Sequence, residues 1–291
     1  MEHEDVVTGA LVTPGGRILS WSDDQTLRLW DPTTGLQRGP AMKHDNLVTG
    51  ALAMLDGRIL SWSDDQTLRL WDTKTGLQSG PAMKHDSFVQ GALVMPDGQI
   101  LSWSVDQTLR LWDPTTGLQN GPAMKHDSGV VGALVMPDGR ILSWSADQTL
   151  RLWDATTGLQ SGPAMKHDSS VVGALVMPDG RILSWSYDQT LRLWDAATVR
   201  QIGPAMHHDA LVRGALALPD SRILSWSDDE TLRLWNLAWP PGNLFEIACA
   251  LLPDANVATM SDATSLAIKD PICVEPSKIP LPDWRQAPQI H

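Results

Sequence analysis

The twelve residues Ser20–Asp31, SWSDDQTLRLWD, return unchanged at Ser61–Asp72 and with one letter altered, SWSVDQTLRLWD, at Ser102–Asp113. Further copies begin at Ser143, Ser184 and Ser225. The tryptophans that close the stretch are Trp30, Trp71, Trp112, Trp153, Trp194 and Trp235, 41 residues apart without slippage. A fixed period of this length marks a repeat architecture and overrides the one or two ordinary domains that 291 residues would suggest. Each unit resembles Val130–Asp168, VVGALVMPDGRILSWSADQTLRLWDATTGLQSGPAMKHD, in which four short apolar runs are separated by turn chemistry. Pro-Asp-Gly follows GALVM, Ala146-Asp147-Gln148 divides RILSWS from TLRLW, and Thr-Thr-Gly leads into LQSGPAM. The proline in the last run cannot donate to a ladder, which puts that run on a sheet edge. The unit is therefore a four-stranded antiparallel meander with its last strand outermost. Sheets too small to bury their own faces read as blades of an all-β propeller.

The LRLWD and LRLWN cores, the Ser-x-Asp-x-Thr turns and a histidine before each new inner strand make the chain resemble the WD-repeat propellers over nearly its whole length. Two departures stand out. Lys-His, as at Met42–Asp45, or His207-His208 replaces the usual Gly-His, and tryptophan sits between the serines of the second strand where a small residue is usual. The resemblance implies a structural chain in each unit, in which the turn Asp accepts from His, His bonds Ser, and Ser reaches the Trp indole. His44, Ser61, Asp65 and Trp71 form one such set; His85, Asp106 and Trp112, and His126, Asp147 and Trp153, belong to the next two. Read in isolation, Ser-His-Asp suggests a hydrolase and repeated histidines suggest a metal. A nucleophilic site needs one asymmetric pocket with oxyanion donors, and repeated copies around a ring offer none. No catalytic residue, cofactor or metal is expected.

The residues Leu251–Pro271, LLPDANVATMSDATSLAIKDP, overlay the sixth copy, with Leu252, Pro253, Asp254, Ser261, Asp262 and Leu266 matching Leu218, Pro219, Asp220, Ser227, Asp228 and Leu232. One propeller domain over 1–291 is expected: regular repeats over 1–236, a degenerate seventh blade over 237–273 and a Pro-rich tail over 274–291. The rival reading makes NLFEIACALL a helix, with Asn243 as cap and Glu246 at the capping-box position, covering six blades. Only five residues precede the first strand, which leaves no strand to lend to the last blade. An open edge would invite self-association. Trp239-Pro240-Pro241 and the Pro-rich tail read as edge blockers and favour a monomer.

The second strand alternates, so Trp21, Trp62, Trp103, Trp144, Trp185 and Trp226 face away from the flanking serines and pack between blades. Arg28 and its equivalents alternate with leucines and are expected to lay their stems over neighbours with the heads in water.

With 22 basic and 34 acidic residues the formal charge is −12, which suits neither nucleic acid nor an anionic membrane surface. The start MEHEDVVTG lacks the features of a secretory signal, and no apolar run approaches a membrane span. Cys249 and Cys273, the only cysteines, lack zinc-site spacing and read as reduced thiols of a cytoplasmic protein, a disulfide being the alternative.

Three positions vary between copies that are otherwise nearly uniform. The residue before the turn Asp reads Asp23, Asp64, Val105, Ala146, Tyr187, Asp228. Two positions around the start of the inner strand read Val6, Leu47, Phe88, Gly129, Ser170, Leu211 and Thr8, Thr49, Gln90, Val131, Val172, Arg213. All three fall at the end of the blade where the histidine loops and second turns meet. Copies three to five carry Phe88, Val105, Val131, Val172 and Tyr187, an apolar arc, while Asp228, Asp23 and Asp64 mark the others, with Arg213 beside them. An apolar, aromatic cluster rimmed by charge is the anatomy of a protein interface. The expected function is a non-catalytic scaffold that binds a protein or peptide on this face, through Phe88, Gln90, Val105, Val131, Tyr187, Arg213, Asp228, Asp23 and Asp64. Drift between recent copies would vary the same positions without any partner. Two alternatives remain. The tail from ACALLPD to DPIC resembles the ends of WD-repeat regions in bacterial multidomain signalling proteins, implying a regulatory or sensor module. A small ligand in the central channel is the other, though the channel-lining GALVM offers no convergent titratable groups.

Overall fold

The computed structural model describes Met1–Asn236, and the readings placed on 237–291 (the seventh blade or cap, the Asn243 helix, the tail and both cysteines) lie outside the described residues. The described residues form six consecutive antiparallel sheets, the blades of a β-propeller, with no helix among them. Blade 4 is representative. Its inner strand Val130–Val135 pairs with Ile141–Ser145, that strand with Thr149–Trp153, and the edge strand is only Met165–Lys166. The edge is broken where Gly162-Pro163 interrupts it, with Gln160 bridging to Trp153 on the near side. The fourth run is thus an outermost, proline-broken edge, as its sequence predicts. Blade 6 has three strands among the described residues, Val212–Ala217, Ile223–Ser227 and Leu232–Trp235.

The core lies between blades. Leu142, Leu150, Leu152 and Met165 of blade 4 form one buried cluster with Val171, Ala174, Ile182 and Trp194 of blade 5. Equivalent clusters join blades 1 and 2, 2 and 3, and 3 and 4. A blade's third-strand leucines are covered by the blade that follows. Leu191 and Leu193 of blade 5 are 0% and 3% exposed, whereas Leu232 and Leu234 of blade 6, the last described, are 69% and 51% exposed. Full burial of one leucine contributes about 1.5–3 kcal/mol, so adjacency is what stabilises each sheet.

Four of the second-strand tryptophans pack between blades as the alternation places them, while Trp226 of blade 6 is 37% exposed. Trp144 lies against the cluster of blades 4 and 5, as Trp103, Trp62 and Trp21 do against theirs. The indole also folds over the inner strand of its own sheet. A Cβ added to Gly132 would stand 2.3 Å from Trp144 Cζ2, which explains the glycine that opens every GAL run. The tight turn before the third strand also carries strain. Gln107 has φ 73°, the left-handed region, and donates its amide to the Ser104 carbonyl at 3.3 Å.

Two substitutions test these points. Gly132→Ala should cost about 1–3 kcal/mol through overpacking against Trp144, read as a lower denaturant midpoint with unchanged slope. Gln107→Gly should raise stability by up to about 1 kcal/mol, because relief of roughly 1–2 kcal/mol of left-handed strain exceeds glycine's unfolded-state cost of about 0.5–1 kcal/mol.

Candidate interaction face

Each blade from the second onward is joined to the one before it by a histidine. His126 follows the edge strand of blade 3, and its amide donates to the Gln107 carbonyl of that blade at 2.9 Å. Its ring is fully buried in blade 4, with Nδ1 2.8 Å from Asp147 Oδ2 and Nε2 2.7 Å from Ser143 Oγ. Trp153 Nε1 donates to the same Ser143 Oγ at 2.7 Å. A carboxylate only accepts, so Nδ1 carries the proton toward Asp147, and Ser143, which receives the indole N–H, donates its own to Nε2. The same chain recurs for His44, Ser61, Asp65 and Trp71, and for His85, Ser102, Asp106 and Trp112. The first copy is completed by His3, bonded to Asp24 and Ser20 at 2.8 and 2.7 Å, with Trp30 on the same serine. His3 stands one period before His44, and that spacing is the signal that finds it.

Sequence reasoning missed two further members. Thr149 donates its amide and hydroxyl to Asp147 Oδ1, at 2.9 and 2.7 Å. Arg151 does not leave its head in water, as the alternation suggested. Its guanidinium reaches the Lys125 carbonyl at 3.3 Å and Asp127 at 2.7 Å, and its side chain is 17% exposed. Its equivalents Arg69 and Arg192 make the same contacts. The arginine therefore holds the connecting loop down, because that loop brings an aspartate and a carbonyl to the place where its head emerges.

Burial pushes the Asp147 carboxyl up, but hydrogen bonds from His126, Thr149 and the Asp127 amide outweigh it and hold the group well below the usual carboxylate range. Asp24, Asp65, Asp106, Asp188 and Asp229 are lowered in the same way.

Over this network lies the face formed by the varying positions. The two that flank the second turn are bonded within each blade, the Val105 amide donating to the Phe88 carbonyl and that of Tyr187 to Ser170, both at 3.0 Å. The third is a β-bulge. Val130 pairs with Ser145 and Gly132 with Trp144, leaving Val131 as the extra residue, and the same register shift falls at Thr8, Thr49, Gln90, Val172 and Arg213. A bulge turns its side chain out of the ladder. Gln90, Val131 and Arg213 are exposed there.

Contacts also run from blade to blade. A Cβ on Gly129 would meet Val105 Cα at 3.4 Å, and the Ser170 hydroxyl donates to the Ala146 carbonyl at 3.3 Å. Within blade 6, Arg213 donates to Asp228 at 2.6 Å. Phe88 and Tyr187 are 45% and 46% exposed, and Val105 and Val131 are exposed beside them. Asp23 and Asp64 are half-buried in blades 1 and 2. The belt is continuous, while Phe88 and Tyr187 themselves stay two blades apart. Among the described residues no group of three or more His, Cys, Asp or Glu is placed to hold a metal ion, and no helix is long and apolar enough to cross a membrane.

Residues 164–195, from the edge of blade 4 through the third strand of blade 5, match the family described as WD domain, G-beta repeat. That match, with the same blade recurring through the described chain, supports a WD-repeat β-propeller. Among solved structures it is similar in fold to the computationally designed Ika8 protein, at 22% identity and a TM-score of 0.69, over 81% of this chain and 72% of that one. No curated protein matches the chain. WD-repeat propellers generally serve as protein-interaction scaffolds.

The network carries two predictions. Ser143→Ala strands two buried groups, His126 Nε2 and Trp153 Nε1, at about 1–3 kcal/mol each, and calorimetry should show a correspondingly lower melting temperature. The six turn aspartates have folded values below their unfolded ones, so their stabilisation is present above the unfolded value and lost as pH falls. A melting series should therefore show the aspartates' share of the stability being lost as pH falls below about 4.

Proposed function

We propose that the chain is a non-catalytic docking platform that binds a protein or peptide across the loop face. One observation carries the reading. The positions that differ between copies form one continuous belt, and in blades 3 to 5 that belt presents Phe88, Val105, Val131, Val172 and Tyr187. Apolar and aromatic side chains held out from a rigid scaffold are where binding energy concentrates. The Ser, His and Asp of each blade are fully engaged in holding the scaffold, which supports a platform over an enzyme. The charge of −12 favours a protein partner over nucleic acid or an anionic membrane, and the cytoplasm is the compartment this reading assigns.

The test is a quantitative capture from lysate with the native chain beside a Phe88→Ala, Val105→Asp, Tyr187→Arg variant of unchanged melting temperature. A protein enriched by the native chain alone, and then bound stoichiometrically in purified form, is the expected result. Equal recovery by both baits, or recovery by neither, would overturn the docking reading.

A further inference from the structure

The loop face is divided by charge, and the division identifies the chemistry of its occupant. In blades 2 to 6 the aspartate of each His-Asp pair is held by an arginine of its own blade, as Asp127 is by Arg151 at 2.7 Å. Asp228 is held by Arg213. Asp23 and Asp64 have no such cation; among the described residues neither carboxylate has a hydrogen-bond or ion-pair partner. Burial pushes the Asp64 carboxyl up, and the neighbouring charges of Asp23 and Asp65 push it further. Two like charges on adjacent blades thus raise one another's cost, without the arginine that holds Asp228 and the aspartates of the His-Asp pairs. Glu4 and Asp5 add carboxylates on the segment that enters blade 1 beside Asp23.

Beyond this acidic sector the belt becomes apolar and changes in relief. Blades 3 and 5 carry the large side chains Phe88 and Tyr187, while blade 4 between them carries Gly129 and Ala146. The belt therefore has a shallow seat one blade wide between the aromatics of blades 3 and 5, with the unpaired carboxylates of blades 2 and 1 lying beyond Phe88.

Resting on the docking reading above, we propose that the occupant is a peptide segment with a lysine or arginine next to apolar side chains. Its cation lies at Asp23 and Asp64, and its apolar residues sit over Gly129 and Ala146 between Phe88 and Tyr187. Complementary charge sets register and partner choice, while the apolar seat supplies most of the affinity.

The repeat itself supplies substitutions the fold tolerates. Leucine occupies the Gly129 position in blades 2 and 6, and alanine occupies the Asp23 and Asp64 position in blade 4. Gly129→Leu therefore fills the seat, and Asp23→Ala with Asp64→Ala removes the charge, using residues already present at those positions. The probes are three pools of short fluorescein-labelled peptides: arginines followed by leucine and phenylalanine, the same with glutamate for arginine, and the same with serine for the apolar residues. Anisotropy with the full chain should show the first pool binding at least about tenfold more tightly than either other pool. The double alanine variant should abolish the preference for arginine over glutamate, as should high salt, and Gly129→Leu should weaken the arginine-apolar pool. Equal binding of the arginine and glutamate pools, both weakened by Gly129→Leu, would overturn the cationic assignment and leave the docking face standing. Binding untouched by Gly129→Leu, or no binding by any pool at millimolar concentration, would overturn both.

Discussion

Each histidine loop is held from two sides, its backbone bonded to one blade and its ring buried in the next. The amide of His126 donates to blade 3 while its imidazole bonds Asp147 and Ser143 of blade 4. The rest of the molecule depends on this joint. A three- or four-stranded sheet of this size buries neither face alone, and the hydrophobic clusters exist only between neighbours. The joint brings consecutive sheets into register for that burial. Its members add little individually, since a satisfied hydrogen bond contributes about 1 kcal/mol net, but a buried ring left unsatisfied costs more than its bonds supply. The arrangement is therefore all or none, and His, Ser, Asp, Thr, Trp and Arg are fixed together in every described blade.

That rigidity is what leaves a small set of positions free to vary. The residue before the turn Asp has its amide bonded and its side chain outside the network, so aspartate, valine, alanine and tyrosine all fit. The bulged residue on the inner strand belongs to neither face of the ladder, and threonine, glutamine, valine and arginine occupy it in turn. Even there the neighbouring blade is within reach: the Thr8 hydroxyl donates to the Val48 carbonyl at 3.1 Å. Scaffold and variable face are separated by position within a blade, and the face is continuous because the joint repeats.

The period, the meander and the proline-broken edge were legible in the sequence because each is a local pattern of residue type and spacing. The quartet was legible through its resemblance, and the second-strand tryptophans through simple alternation. What escaped depended on register or on distant loops. The bulge is one extra residue, invisible until Val130 and Gly132 are seen to pair with consecutive residues of the next strand. Arg151 looked solvent-facing because its partner Asp127 lies 24 positions earlier, on a loop whose return path the sequence does not show. The glycine beneath each tryptophan read as part of an ordinary small apolar run until the indole was found against it. The variable positions could be read off the repeats, but the contrast between paired Asp228 and unpaired Asp23 and Asp64 needed coordinates.

The near-identity of the joints has a consequence for the chain as a heritable object. The pocket that receives His126 is lined by the same residue types, at the same distances, as those that receive His44, His85 or His167. A loop carries no record of which blade it should enter; only its tether to the preceding strand decides. Excising or inserting a whole unit of 41 residues therefore leaves every remaining joint with a matching counterpart. Differences between units fall in the belt and in outer loops such as Arg38, Ser79, Asn120 and Ser161, and leave the joints alike.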